Sequence, residues 1–238
     1  MLRRDTMRQE VHIDADGVSL AGTLAVPQGA RSIVLFVHGS GSSRHSPRNR
    51  FVAGILEAQG IATLLFDLLT PAEEFVDQRT AGLRFDIGLL ARRLIGATAW
   101  TRRNSFTKDL EIGYFGASTG AAAALVAAAE LGDSVGAVVS RGGRPDLADK
   151  ALGFVRVPIL LIVGGRDETV LQLNRLALAQ LPGPQNELVV IPGATHLFEE
   201  PGTLEKVAKT AADWFSRHLT DEVPEENQSQ HTLQDKGR

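Results

Sequence analysis

Six short apolar runs recur along the chain, and the stretches between them carry helical spacing of apolar positions. The runs are 32–37 (SIVLFV), 61–67 (IATLLFD), 110–116 (LEIGYFG), 135–140 (VGAVVS), 157–164 (VPILLIVG) and 186–193 (NELVVIPG). Polar residues do not alternate cleanly within them, so both faces are expected to be buried, as in a parallel sheet. Helical spacing covers roughly 47–59, 82–102, 119–131, 145–153, 169–181 and 203–219. Such alternation predicts an α/β fold, with helices on both faces of a twisted, mostly parallel sheet. Residues 10–27 differ: they read as two strands around Asp16-Gly17, a strong hairpin signal. The expected organisation is an N-terminal extension (1–9), one domain (10–219) without internal repeat or linker, and a polar, disordered tail (220–238).

Composition narrows the function classes. With 43% hydrophobic and 22% charged residues, the 238-residue chain has the balance of a soluble globular protein. A net charge of −3 gives no general attraction to nucleic acid or an anionic membrane. No apolar run approaches the ~20 residues that span a bilayer. The first residues, MLRRDTMRQEVHID, lack the apolar core of a signal peptide, so a cytoplasmic location is expected. Cysteine is absent, which excludes disulfides, thiolate nucleophiles and Cys-ligated metals. Without an H-E-x-x-H motif, a Walker lysine or clustered ligand spacing, no metal is expected. The expected partner is a small molecule, and the protein is a monomer or homodimer.

The stretch GYFGASTGAAAALVAAA (113–129) carries the first chemical signal. Gly116-Ala117-Ser118-Thr119-Gly120 fits G-x-S-x-G after a strand and at the start of a helix. A β-carbon at either glycine would collide with neighbouring backbone, and the turn would lift the Ser118 oxygen above the carboxyl edge of the sheet. A plain strand–helix turn into a close-packed, alanine-rich helix is the alternative. Asp167 and His196 follow the next-to-last and last expected strands, so all three belong to one sheet edge. In that order His196 takes the Ser118 proton, and Asp167 fixes the imidazole tautomer. Asp167 as a helix cap and His196 as an ordinary loop residue are the competing readings. The glycine-rich segment FVHGSGSSRHS (36–46) can turn backbone N–H groups inwards. Ser40 N–H and Thr119 N–H are the expected oxyanion donors, with Gly41 in reserve and His38 buttressing the loop. Gly39-x-Gly41 with Asp67 faintly suggests a dinucleotide fingerprint, but Arg44 stands where its third glycine belongs.

Together His38-Gly39-Ser40-Gly41, LLFDLLT (64–70), Gly116 to Gly120, Gly165-Arg166-Asp167-Glu168 and Gly193-Ala194-Thr195-His196 resemble an α/β-hydrolase of the dienelactone hydrolase-like branch. The resemblance covers roughly 10–219 and implies a mostly parallel eight-stranded sheet whose first hairpin supplies the antiparallel strand. It also implies hydrolysis of esters or lactones through an acyl-serine, without a cofactor. The enzymes that gave the branch its name use a cysteine nucleophile where this chain has Ser118, which favours ordinary carboxylic esters. Similar domains occur joined to phosphoribosyltransferase domains; a single hydrolase domain is expected here. Many of these folds insert a helical lid after the strand that ends near Ser140. Here RGGRPDLADKALGFVR has room for one short helix, so an open site for small substrates is expected. Arg44, Arg141 and Arg144 lie on loops at the same edge and are candidates for binding a substrate carboxylate or phosphate. Alternatively Arg144 pairs with Asp146 or Asp149, and Arg44 is solvated. A non-catalytic binding or regulatory protein on the same fold is the rival functional class.

Overall fold

A computed structural model describes residues 5–219. The hairpin pairs β1 (Thr6–Ala15) with β2 (Val18–Pro27). Its turn is Asp16-Gly17, both at positive φ (48° and 77°), the twist that a two-residue hairpin turn needs. The first strand thus begins at Thr6, and residues 6–9 of the expected extension belong to the sheet. Its half-buried, charge-rich pattern (TMRQEVHIDA) hid that start, because an outer strand has no continuous apolar run. The expected tail, 220–238, lies outside the described residues.

The remaining strands are β3 (Ser32–Val37), β4 (Ala62–Phe66), β5 (Glu111–Ala117), β6 (Ala137–Arg141), β7 (Ile159–Gly164) and β8 (Glu187–Ile191). Their order across the sheet is β1-β2-β4-β3-β5-β6-β7-β8, parallel from β4 to β8. The helices are α1 (Pro47–Ala58), α2 (Pro71–Thr80), α3 (Ile87–Arg103), α4 (Thr119–Leu131), α5 (Glu168–Leu178) and α6 (Thr203–His218). Alternate strand residues feed two cores, as the period-two pleat requires. Ile33, Leu35 and Val37 pack with α3 and α4, whereas Val34 and Phe36 pack with α1 and α6. Both faces of the central strands are therefore apolar, which is why their sequences do not alternate.

One expected helix begins later than its periodicity suggests, and another is not an α-helix. The span 82–102 is a 3-10 turn, Leu83–Phe85, followed by α3, whose start is capped by Asp86 accepting from Leu89 N–H at 2.8 Å. The span 145–153 is 3-10 structure, Pro145–Phe154, kinked at Asp149. Helix α2 was not anticipated, because Asp77 is its only buried residue and it carries no apolar stripe. Its signal was local: Thr70-Pro71-Ala72-Glu73 forms a capping box with proline in the first turn.

The sheet order reverses direction between β3 and β5, and crevices for ligands form at the carboxyl ends of strands flanking such a switch. The loop after β3 and the turn after β5 meet there. The loops after β6, β7 and β8 open on the same edge.

Candidate active site

Ser118 sits between β5 and α4 with φ 51° and ψ −121°, a backbone conformation unusual for a residue with a side chain. The surrounding contacts impose it. A Cβ at Gly120 would lie 2.2 Å from Val37 O, and one at Gly116 would lie 2.5 Å from Ala121 Cα. Ser118 N–H donates to Arg141 O, and Ser118 O accepts from Ala121 N–H and Arg144 N–H. The hydroxyl makes no capping bond to α4. An ordinary helix cap is therefore not its role.

Asp167 precedes α5 and likewise makes no side-chain capping bond. Its Oδ2 instead accepts from His196 Nδ1–H at 2.6 Å. A carboxylate only accepts, so the proton sits on Nδ1 and Nε2 is left as the ring's acceptor. The two loops are tied by Arg166 N–H to Ala194 O (2.9 Å) and Gly165 N–H to Ile191 O (2.9 Å). Glu200 accepts from Thr195 N–H at 3.1–3.2 Å and braces the turn that carries His196. Ser118 and His196 line one cavity of about 260 Å³, although no hydrogen bond joins their side chains.

The loop after β3 forms the opposite wall. Ser42 N–H bonds Gly39 O, and Gly41 takes φ 67°, as the third position of such a turn requires. His38 anchors the loop from beneath: Nδ1–H donates to Gly39 O at 3.0 Å, while Nε2 accepts from Leu68 N–H at 3.1 Å. Burial holds its pKa below the ordinary histidine value. Ser40 N–H is engaged by Thr119 Oγ1 at 3.0 Å, a contact that spacing along the chain does not reveal. Thr119 N–H is the first amide of α4 and so has no intrahelical acceptor.

The three arginines have different fates. Arg44 is held by Asp67, which accepts from both its guanidinium and its N–H. The same bonds occupy the acid that the dinucleotide alternative needed. Arg144 holds Asp146 through Nε and Nη2 at 2.8 and 2.7 Å. Neither side chain lines the Ser118 cavity, so the expectation that all three arginines face one substrate anion is corrected. Arg141 does line it, at only 7% exposure. Its Nη2 donates to Asn49 Oδ1 at 3.4 Å, while Nε and Nη1 have no hydrogen-bond partner. Burial, and then the charge of Arg48, push the Arg141 pKa down to about 10. Arg48 and Asn49 are further cavity residues that sequence reasoning missed. They read as the first turn of an amphipathic helix, and only a basic residue at a helix start hinted otherwise. Larger clefts of about 580 and 650 Å³ lie around Arg44 and His45, and neither is lined by Ser118 or His196.

A mostly parallel eight-stranded sheet with an antiparallel N-terminal hairpin and a serine on a sharp strand-to-helix turn defines the α/β-hydrolase fold. Residues 58–220 match the dienelactone hydrolase family, and the chain belongs to it. It is 58% identical to a dienelactone hydrolase from Anabaena variabilis of known structure, covering 90% of this chain and 99% of that one, with a TM-score of 0.88. Est1E from Butyrivibrio proteoclasticus, at 18% identity, shares the fold with a TM-score of 0.74 over 88% of this chain and 98% of its own. A curated Mycobacterium tuberculosis protein (strain H37Rv), provisionally named a phosphoribosyl transferase, is 61% identical over 211 residues. Those residues are 89% of this chain but 46% of the relative, so the chain spans about half that relative's length. Among the described residues, no helix is long and apolar enough to cross a membrane.

Proposed function

We propose that the protein is a serine hydrolase of small carboxylic esters or lactones. The observation that carries this reading is the 2.6 Å bond between His196 Nδ1 and Asp167 Oδ2, beside an uncapped Ser118 hydroxyl on a strained elbow. Neither Asp167 nor Ser118 does the capping work that a structural role would explain. Ser118 Oγ attacks the substrate carbonyl as His196 Nε2 takes its proton. The imidazolium is stabilised by Asp167 and then protonates the leaving alcohol. Water, activated by the same ring, releases the acyl group from Ser118. The missing Ser118–His196 contact is compatible with this, since catalytic hydrogen bonds often tighten only when substrate binds.

The developing oxyanion takes hydrogen bonds from Thr119 N–H and Ser40 N–H. Ser40 N–H already donates to Thr119 Oγ1, so this second donor is shared with, or released by, the threonine hydroxyl in the transition state. A cavity of about 260 Å³ suits a small substrate. Hydrolysis of this kind needs only water besides the substrate.

The test is a fluorophosphonate probe followed by an ester panel. Labelling of native protein at Ser118, lost in Ser118→Ala, is expected. Absence of labelling, together with no turnover across short-chain esters and lactones, would leave a binding protein instead. The activity named for the longer mycobacterial relative belongs to a chain about twice this length and does not enter the proposal.

A further inference from the structure

We propose that the cavity beside Ser118 contains a subsite for a phosphate group on the substrate, formed by Arg141, Arg48 and the first turn of α1. The inference rests on the serine-hydrolase reading and narrows its substrate class. Arg141 is buried with two of its three guanidinium nitrogens unpartnered, and Arg48 Nε is also buried without a partner. An unpaired buried cation is costly, and an anion supplied from outside relieves the cost. Helix α1 adds to the same field. Its first turn has no acidic residue, Pro47 has no N–H, and Arg48 N–H follows as an amide without an intrahelical acceptor.

Charge counting favours phosphate over carboxylate. Two guanidinium groups and a helix N-terminus face this cavity, and among the described residues no Asp or Glu lines it. Arg48 Nη1 pairs with Glu199 at 3.3 Å, but that carboxylate is largely exposed and its charge is screened by solvent. A carboxylate brings one negative charge and leaves part of the cluster uncompensated. A phosphate monoester brings nearly two, with three acceptor oxygens for donors on separate side chains. The proximity of Arg48 to Arg141, which by itself depresses the inner guanidinium's pKa, becomes favourable once such a dianion lies between them. The preferred substrate is then a small ester or lactone bearing a phosphate, with Ser118 attacking its carbonyl carbon while the phosphate is held but not broken.

Two measurements test this on the intact protein. The first is thermal unfolding with inorganic phosphate at constant ionic strength. Phosphate should raise Tm in native protein and in Arg217→Gln, a surface control, and not in Arg141→Gln or Arg48→Gln. Arg141→Gln should be folded and no less stable without phosphate, because it removes an unpaired buried charge. Arg48→Gln is the second variant, with a side chain only one-third exposed but on the cavity rim. The second measurement compares kcat/KM on matched neutral, carboxylated and phosphorylated esters. The phosphorylated ester should exceed the neutral one by about a hundredfold, from two or more charge-assisted bonds, and the carboxylated one by about tenfold. Arg141→Gln should collapse the phosphorylated-to-neutral ratio towards one. Equal rates on all three esters with no phosphate shift would overturn the subsite. A carboxylated ester preferred over the phosphorylated one would overturn the choice of anion. A phosphate shift dependent on Arg141, with no labelling or turnover, would support the subsite and refute Ser118 as a nucleophile, so the two readings fail separately.

Discussion

Ser118 and Asp149 hold nearly the same backbone conformation, φ 51° and ψ −121° against φ 46° and ψ −127°. Gly132, which ends α4, takes it too, at φ 51° and ψ −128°. Glycine adopts that region without steric cost, whereas a side chain there is strained by about 1–3 kcal/mol. At Ser118 the strain is over-determined by the glycines on either side and by three backbone hydrogen bonds, to Arg141 at the end of β6, Arg144 beyond it and Ala121 in α4. Its hydroxyl caps nothing and lines a cavity. Asp149 is exposed, in a kink of 3-10 structure, and does not line the Ser118 cavity. The pair teaches that a strained φ does not by itself mark a functional residue. The mark is strain together with surroundings that enforce it and a side chain left unbonded over a cavity.

The strongest way to break this comparison is to remove the chemistry at one member. Ser118→Ala and His196→Ala should each lower kcat on a small ester by ~10⁴-fold or more in folded protein. Asp167→Asn should lose about 10⁴-fold, because the amide no longer selects the Nδ1–H tautomer. Near-normal steady-state turnover in folded Ser118→Ala would remove the nucleophile from the argument. The enforcement can be attacked next. Gly120→Val sets a branched side chain against Val37 O and His38 O and should cost about 3 kcal/mol or more in denaturant unfolding. An unchanged midpoint would mean that the elbow is not clamped as described.

A pH effect sharpens the picture from the other wall of the site. His38 has its pKa lowered by burial, so the unfolded chain binds its proton more readily than the folded one. Its contribution to stability is therefore intact above the ordinary histidine range, ~6.5, and falls as pH drops from there towards the folded value. Urea midpoints at pH 7 and pH 5 should reveal a drop that is smaller in His38→Asn. An identical drop in the variant would assign the slope to other groups.

The smallest expected effect compares the two strained residues directly. Asp149→Gly should stabilise by about 1 kcal/mol, as relieved strain outweighs the added freedom of the unfolded chain, and leave ester turnover intact. Ser118→Gly should stabilise similarly and abolish turnover. A fall in thermal stability for both would mean that the conformation carries little strain at either position.

Much of this architecture was legible along the chain. The apolar runs appear as β3 to β8 within a residue or two, because burial on both faces leaves a continuous apolar signature. The elbow was legible because two glycines around a serine, after a strand, answer a steric demand made within five residues. Helix α2 had no apolar stripe, and only its capping box was there to be read. Residues 145–153 have helical periodicity, but periodicity does not separate a true α-helix from the 3-10 structure found there, nor does it show that a 3-10 turn (Leu83–Phe85) precedes α3 within 82–102.

What the sequence by itself determined is the order of strands and helices, the edge of the sheet on which Ser118, Asp167 and His196 emerge, and the crowding that requires Gly116 and Gly120. These follow from local sterics and from the pattern of burial. The tertiary structure alone decided which side chains meet across loops. Arg44, Arg141 and Arg144 look alike on the chain, yet Asp67 engages the first, Asp146 the third, and the second is left buried and unpaired beside Arg48. A long, charged side chain can reach partners over several ångströms in many directions. Which partner it takes depends on residues brought near by the rest of the fold, as Asn49, 92 positions away, is brought to Arg141.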